Sequence, residues 1–230
     1  MLNERRGNMY PFVQYTWNPI RGCLHDCAYC YVKALSKRYN FDMIPRLCED
    51  YLRDRLPEHA YIFVGSTSDM FGEWVPSEWI SRVLEHCRKF ESTYLFQSKN
   101  PIRFMEFRRE FPAGEFGTNT CLGTTLETNH YPDDRVYSLA PPPEERAITM
   151  KRLYRYFPYL MISVEPIMDF DLGEFADLIL KCEPRFVVIG ADSKRSRLPE
   201  PPPNKIIKLI RLLDGFTEVI IKENLKRLLR

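Results

Sequence analysis

Three cysteines near the start of the chain have the residue type and the spacing of a metal site. Cys23, Cys27 and Cys30 form the pattern C-x3-C-x2-C within the stretch TWNPIRGCLHDCAYCYV, and the next cysteine is Cys48. Thiolates bind zinc ions and iron–sulfur clusters, and closed sites of either kind usually have four protein ligands. The chemistry of this stretch therefore depends on what fills the fourth position.

Four explanations of the three cysteines compete. A structural zinc site needs a fourth ligand, but His25 lies too close in sequence and Cys48 lies beyond a predicted helix. A closed electron-transfer cluster also needs four protein ligands, usually in a denser run of cysteines. Three unrelated buried cysteines are not expected in one loop, because loops lie at the surface. The remaining explanation, which we favour, is a [4Fe–4S] cluster held by three thiolates, with one iron open to a small molecule.

The cysteine stretch belongs to a repeating pattern in which a short apolar run ends in polar residues and a helical stretch follows. The apolar runs are rich in Val, Ile, Leu, Phe and Tyr, which is typical of strands buried on both faces. These runs cover 11–17, 60–69, 93–100, 121–128, 159–166, 185–193 and 217–224. Helical patterns cover 76–91, 144–157, 172–182 and 204–213, and also 32–40, 44–55 and 101–111. In 144–157 the apolar face is predicted to consist of Ile148, Leu153, Tyr154 and Phe157.

Polar residues follow the end of nearly every predicted strand. In chain order they are Ser66, Thr67, Asp69, Gln97, Ser98, Lys99, Thr125, Glu127, Ser163, Glu165, Asp192, Ser193, Lys222, Glu223 and Asn224. This distribution is typical of the active-site face of a βα barrel, whereas an open doubly wound sheet concentrates such residues at one switch point. We therefore predict an α/β fold, a partial (β/α) barrel of about six to seven parallel strands, formed by a single domain over residues 1–230.

Composition restricts the class of protein. The 230 residues are 44% hydrophobic and carry a net charge of +2, which neither requires nor excludes a nucleic-acid partner. No apolar run approaches the ~20 residues of a membrane helix, and no apolar segment of a secretory signal follows the N-terminal arginines. The seven cysteines are odd in number and are not spaced as a disulfide framework. We therefore expect a cytoplasmic protein with reduced thiols and no membrane partner.

The cysteine pattern in the first loop of a βα barrel, with the aromatic Tyr29 before the last cysteine, resembles the radical S-adenosylmethionine (SAM) superfamily. The resemblance implies that the open iron binds SAM, and that an electron from a donor such as flavodoxin or ferredoxin cleaves SAM to a 5′-deoxyadenosyl radical. The radical then abstracts a hydrogen atom from the substrate. The cofactors supply this chemistry and the protein orients them.

The longer stretch NPIRGCLHDCAYCY is similar to the spore photoproduct lyase-like proteins, often labelled DNA repair photolyases. The segments TWNP, DMFGEWVPSEWI, FQSKNP, GTTLET, ISVEP and IGADS resemble more closely a phage-associated radical SAM family of unknown function. The resemblance implies an enzyme whose substrate is unknown, with a nucleic acid as the leading expectation. The alternative is a non-enzymatic iron–sulfur or zinc protein that binds or senses.

The resemblance also implies a SAM pocket on the strand tips. Tyr29 would lie beside the adenine, and the polar residues after the second to fifth strands would contact SAM. These residues are Ser66, Thr67 and Asp69 for the amino group, Ser98 and Lys99 for the carboxylate, Glu127 for the ribose, and Glu165 for SAM or the substrate. Asp192 is a further candidate, and Lys222 is expected either to contact the substrate or to close the barrel.

The remaining residues of interest have simpler explanations. Cys48, Cys87, Cys121 and Cys182 begin a strand or lie on helix faces, so we expect them in the core. His25 is expected to be an exposed residue of the cysteine stretch. The basic segments SKRSR (193–197), RR (108–109) and KRLLR (226–230) are candidates for phosphate contacts, against the alternative of a solvated surface.

Overall fold

The computed structural model describes residues 1–113, 119–130, 137–194 and 196–230. Its strands are β1 (Leu2–Glu4), β2 (Tyr15–Trp17), β3 (Ile20–Arg21), β4 (Arg46–Leu47), β5 (Tyr61–Val64), β6 (Thr93–Gln97), β7 (Thr120–Thr125), β8 (Leu160–Val164), β9 (Phe186–Ile189) and β10 (Glu218–Ile221). Its α-helices are α1 (Tyr31–Tyr39), α2 (Ser77–Cys87), α3 (Pro143–Leu153), α4 (Leu172–Leu180) and α5 (Pro203–Asp214). None of the helices in these ranges is long and apolar enough to cross a membrane.

Seven parallel strands form one sheet in the order β2-β5-β6-β7-β8-β9-β10, with β1 added antiparallel at the β2 edge. Within the described residues β10 pairs only with β9, so the sheet does not close into a full barrel. Six of the seven strands fall within the predicted apolar runs, and β7 begins one residue before its run, at Thr120. The predicted partial (β/α) barrel is confirmed.

Side chains alternate between the two faces of the sheet, as the period of two in a strand requires. The outer face packs against the helices through residues such as Ile62, Phe96 and Ile162. The N-terminal segment, defined as residues 5–14, connects β1 to β2. Its residues Tyr10 and Val13 pack against the inner face of the sheet, which carries Phe63, Leu95, Cys121, Met161, Phe186 and Val188. This segment therefore fills the lower part of the barrel interior and leaves the carboxyl ends of the strands open.

Two predicted helices are wrong in type. The range 44–55 contains β4 and a short 3-10 helix, Glu49–Arg53, because Arg46–Leu47 pairs with β3 and holds the chain extended. The range 101–111 begins with the 3-10 helix Pro101–Met105 and continues as turns.

The predicted apolar face of α3 is also wrong in part. Ile148 and Tyr154 are exposed, whereas Ala147, Met150 and Leu153 are buried. These three residues follow each other at intervals of three, so the buried stripe is rotated from the one that the large apolar residues indicate. The rotation also buries Arg146, which has a partner in the site described below.

Candidate active site

A cavity of about 480 Å³ opens at the carboxyl ends of the parallel strands. Cys23, Cys27 and Cys30 all line it, together with residues from both ends of the sheet. Cavities of this volume are typical of sites for small molecules. The three predicted cluster ligands therefore face one shared space, on the predicted face of the barrel.

The cysteine loop, defined as residues 22–30, is held from two sides by backbone hydrogen bonds. The Cys23 amide donates to the Met43 carbonyl over 3.0 Å, and the Ala28 amide donates to the Tyr137 carbonyl over 2.8 Å. Gly22 has a φ of +83°, and a Cβ there would lie 2.3 Å from the Ile44 carbonyl oxygen. Only glycine fits this turn, because both the backbone conformation and the close approach exclude a side chain.

Burial raises the pKa of the Cys23 thiol to about 12, and nearby Asp69 adds to the rise. Burial likewise raises the pKa of Cys30. The Cys27 Sγ lies 3.1 Å from the Ser138 Oγ. Within the described residues, no three His, Cys, Asp or Glu side chains lie close enough to hold one metal ion. The donors are therefore thiols of one loop facing one cavity, without the compact geometry of a single-ion site such as zinc.

His25 is not the exposed residue that the sequence indicates. It is only 3% exposed, and its Nε2 lies 2.8 Å from the Asp69 Oδ2. Its ring packs edge-on against Trp74 at 4.7 Å between centroids. The error has a physical cause, since a polar residue in a loop is buried only when a distant partner compensates its desolvation, and that partner is 44 residues away.

Asp69 connects the cysteine loop to the loops after β5 and β6. Besides His25, its carboxylate accepts hydrogen bonds from the Ser98 Oγ over 2.7 Å, the Lys99 amide over 2.8 Å and the Phe71 amide over 3.1 Å. Burial alone would raise the pKa of Asp69, but the hydrogen bonds from His25, Ser98 and Lys99 outweigh it and lower the pKa. Both carboxylate oxygens are thus used by the protein, although Asp69 lines the cavity as predicted.

Ser66 and Thr67 line the cavity beside Asp69. Buried Asn18 orders them, because its Oδ1 accepts hydrogen bonds from the Ser66 Oγ over 3.1 Å and the Thr67 amide over 2.9 Å. The Tyr31 hydroxyl donates to the Ser66 carbonyl over 2.8 Å. The turn after β5 is therefore fixed to the start of α1, directly after the last cysteine.

Glu127 lies behind the cavity and does not line it. It is fully buried, and its Oε1 accepts hydrogen bonds from the Tyr29 hydroxyl and the Lys99 ammonium. The Arg146 guanidinium lies 3.0 Å from its other oxygen. Burial alone would raise the pKa of Glu127, but the charges of Arg146 and Lys99 lower it to about 2. The structure thus places a permanent anion under Lys99 and Tyr29, which both line the cavity.

The opposite side of the cavity is lined by Asn8, Glu165, Ser193 and Lys222, and Asn224, outside the lining, donates hydrogen bonds to Glu165 and Ser193. We call these five residues the polar wall. The Lys222 Nζ lies 2.7 Å from the Glu165 Oε2 and 4.9 Å from the centre of the Tyr10 ring. The Glu165 Oε1 accepts from the Asn8 amide nitrogen over 3.1 Å and from the Asn224 amide nitrogen over 3.3 Å. Burial lowers the pKa of Lys222, and the charge of Glu165 opposes the change.

Gly190, the residue after β9, makes room for Glu165. A Cβ on Gly190 would lie 2.8 Å from the Glu165 carboxylate. Asn8 and Tyr10 were not indicated by sequence reasoning, because the N-terminal segment reaches the site only through the curvature of the sheet. The Tyr10 hydroxyl donates to the Gln97 Oε1 over 2.8 Å and lies 2.9 Å from the Ser163 Oγ.

The remaining predicted residues include the four cysteines outside the loop, Asp192 and the basic segment 193–197. Cys87, Cys121 and Cys182 are buried, as expected, and half-buried Cys48 precedes a 3-10 helix instead of lying on a helix face. Asp192 is buried beside the wall and accepts the backbone amide of Lys194 over 2.8 Å. In the basic segment 193–197, Lys194 lines the cavity and residue 195 lies outside the described residues.

Comparison with solved structures finds the same fold in spore photoproduct lyase. A double mutant with bound AdoMet and dinucleoside spore photoproduct has a TM-score of 0.57 and 13% identity, and the match covers 92% of this chain and 64% of that one. A single mutant with dinucleoside spore photoproduct has a TM-score of 0.65 and 12% identity, over 95% and 80% of the two chains. The lyase complexed with dinucleoside spore photoproduct has a TM-score of 0.62 and 12% identity, over 94% and 78%.

Identities this low show a shared fold. Comparison with the curated proteins finds no match. The model of a family described as "Protein of unknown function (DUF5131)" matches residues 9–197, which is most of the chain. The chain therefore belongs to the DUF5131 family.

Proposed function

We propose that this protein is a radical SAM enzyme. The observation that carries the proposal is that Cys23, Cys27 and Cys30 face one cavity at the carboxyl ends of a partial barrel. The shared fold supports it, since a spore photoproduct lyase structure that matches this chain with a TM-score of 0.57 contains bound AdoMet. The predicted association with phages stays a prediction.

The residues present fit a [4Fe–4S] cluster in the chemistry of their donors. Three thiols from one loop provide the ligand type that such clusters take, and each thiolate would bind a different iron. Ligands of a multi-iron cluster lie farther apart than those of one ion, so the missing single-ion geometry is compatible with a cluster. When bound, the cluster and SAM supply a 5′-deoxyadenosyl radical that removes a hydrogen atom from the substrate.

The side of the cavity nearest the cysteines would bind SAM. Lys99 would pair with its carboxylate, because an ammonium is the natural partner of that group. The turn residues Ser66 and Thr67 would contact its amino group, Ser98 would assist, and Tyr29 would lie beside the adenine. Glu127 would act through Lys99, since it is behind the cavity and holds that ammonium in place.

Asp69 would position the cysteine loop through His25, because its oxygens already accept four hydrogen bonds. Glu165, on the opposite side, would face the substrate. A nucleic acid is the leading substrate, by analogy with a lyase whose structure contains a dinucleoside spore photoproduct. An electron donor such as flavodoxin or ferredoxin would supply the electron.

The test begins with anaerobic reconstitution. We expect iron and sulfide in the ratio of a [4Fe–4S] cluster, and formation of 5′-deoxyadenosine from SAM with a strong reductant. Cys27→Ala should lose both the cluster and the cleavage. Cys48→Ala is the matched control, because Cys48 is half-buried outside the cavity, and it should keep both.

Two outcomes would count against the proposal in different ways. A cluster that never cleaves SAM would favour the alternative of a binding or sensing protein. Loss of the cluster in Cys48→Ala would show that the assigned set of three ligands is incorrect.

A further inference from the structure

The polar wall contains a buried ion pair that faces the cavity. Lys222 is 5% exposed, and the Glu165 side chain is 18% exposed, yet both line the cavity. Burying such a pair costs desolvation free energy, which apolar residues in the same place would avoid. The pair is also supported by neighbours, because Asn8 and Asn224 donate to Glu165 and Gly190 leaves space for its carboxylate.

The pair presents a hydrogen-bond acceptor directly beside a donor. The Glu165 carboxylate accepts only, and the Lys222 ammonium donates only. Their complement is a planar group with an N–H beside a carbonyl oxygen or ring nitrogen, as on the edge of a nucleobase. Aromatic rings of Tyr10 and Phe63 line the same cavity and suit a planar ring.

Two cations lie next in sequence to this wall. Arg6 precedes Asn8 by two residues and Lys194 follows Ser193, and the Asn8 Nδ2 lies 3.2 Å from the Ser193 Oγ. Both cations are exposed, line the cavity and form no ion pair in the described part of the chain. Exposed cations without protein partners are suited to phosphate.

We propose that the polar wall binds one base of a nucleotide substrate, with Glu165 accepting from the base and Lys222 donating to it, while Arg6 and Lys194 contact the adjacent phosphate. The proposal rests on the proposed function and names the substrate class of that site. Glu165 and Lys222 lie inside the cavity, so a base must leave its stack to reach them. The chemistry fits both a free nucleotide and a single strand.

The test is binding to the reconstituted wild-type protein, measured by calorimetry and fluorescence anisotropy. Probes are nucleoside 5′-monophosphates, a short single-stranded oligonucleotide, and an abasic strand of the same length. We expect the base-bearing strand to bind at least about tenfold more tightly than the abasic strand, since each lost hydrogen bond to a charged group costs about that factor. The monophosphates distinguish a free nucleotide from a strand as the source.

Variants assign the contacts. Arg6→Gln and Lys194→Gln should each reduce the slope of log affinity against log salt by about 1. Lys151→Gln, an exposed cation on α3 outside the cavity, should leave the slope unchanged. The double variant Glu165→Gln/Lys222→Met, which leaves neither charge unpaired, should lose the part of the preference for the base-bearing strand that comes from hydrogen bonds, about tenfold, and keep only the part that comes from stacking on Tyr10 and Phe63. Its thermal melting shows whether it is folded.

Equal binding of base-bearing and abasic strands by the wild type would overturn the inference, and this result requires no variant. An unchanged salt slope in both cation variants would overturn the phosphate contacts. Assays of 5′-deoxyadenosine on the same preparations separate this inference from the proposed function. Base-dependent binding without SAM cleavage contradicts the enzyme and supports the wall, and cleavage without base-dependent binding contradicts the wall alone.

Discussion

Glu127 is a carboxylate without solvent contact whose charge is held by Arg146 and Lys99. Its pKa is about 2 in the folded protein against an ordinary value of 4.5. Between these values the unfolded chain binds more protons than the native one, so the carboxylate stabilises the fold above about pH 4.5 and the stabilisation disappears as pH falls to about 2. We expect Glu127→Gln to reduce the free energy of unfolding by on the order of 3 kcal/mol at neutral pH.

The measurement is urea denaturation of wild type and Glu127→Gln across this acidic range. The difference between the two proteins should shrink as pH falls, because protonated wild-type Glu127 becomes equivalent to glutamine. Glu73→Gln, at an exposed position in the described chain, controls for the loss of a surface carboxylate. A difference that stays constant with pH would contradict the assignment of the charge to Glu127.

The sequence predicts Glu127 as a site residue but does not indicate its role. Its place after a strand predicts a site residue, and the structure shows that Lys99 and Tyr29 lie between it and the cavity. Its third partner, Arg146, comes from α3, whose buried face the pattern of large apolar residues does not identify. His25 was misplaced for the same reason, since both residues depend on partners that only tertiary packing supplies.

Gly22 fixes the backbone conformation at the start of the cysteine loop. Its positive φ and the 2.3 Å approach of a Cβ to the Ile44 oxygen leave no space for alanine. We expect Gly22→Ala to lower the free energy of unfolding by at least about 2 kcal/mol and to lower the iron bound after reconstitution. Urea denaturation and iron analysis measure the two effects.

Gly173→Ala is the matched control for this substitution. Gly173 lies in α4 with nothing within 4 Å of a Cβ, so alanine should stabilise the helix by about 0.5–1 kcal/mol and leave the iron content unchanged. Wild-type stability and iron content in Gly22→Ala would show that residues 43–45 do not constrain the cysteine loop.

The seven parallel strands could be predicted from the sequence, whereas β4 and the 3-10 helices of residues 49–53 and 101–105 could not. Seven apolar runs followed by polar residues indicate strands whatever their partners, because strands buried on both faces leave a continuous apolar signal. The strand β10, at the open edge of the sheet, has the same signal although its residues are exposed or half-buried. The 44–55 segment has a helical apolar pattern, but two of its residues pair with β3, which a local pattern does not contain. The three cysteines could be selected without tertiary information, since all of them come from one loop.

The whole molecule is an open barrel whose interior is completed by a segment outside the sheet. Phe12 packs edge-on against Tyr61 of β5 at 5.0 Å and against Phe186 of β9 at 5.1 Å between centroids. These strands lie toward opposite ends of the sheet, and the described strands do not close it by hydrogen bonds. The N-terminal segment thus connects the side that carries the cysteines to the side that carries the polar wall.

We therefore expect Phe12→Ala to destabilise the whole molecule by about 2 kcal/mol, less than a fully buried phenylalanine because Phe12 is half-buried. Urea denaturation measures the loss. Phe216→Ala removes the same ring from a site that is 77% exposed and should change the free energy of unfolding by less than about 0.5 kcal/mol. Asn8 and Tyr10 shortly precede Phe12 and contact Glu165 and Ser163, so Phe12→Ala should also weaken binding at the polar wall. Equal stability of the two variants would show that the open sheet holds its curvature without the N-terminal segment.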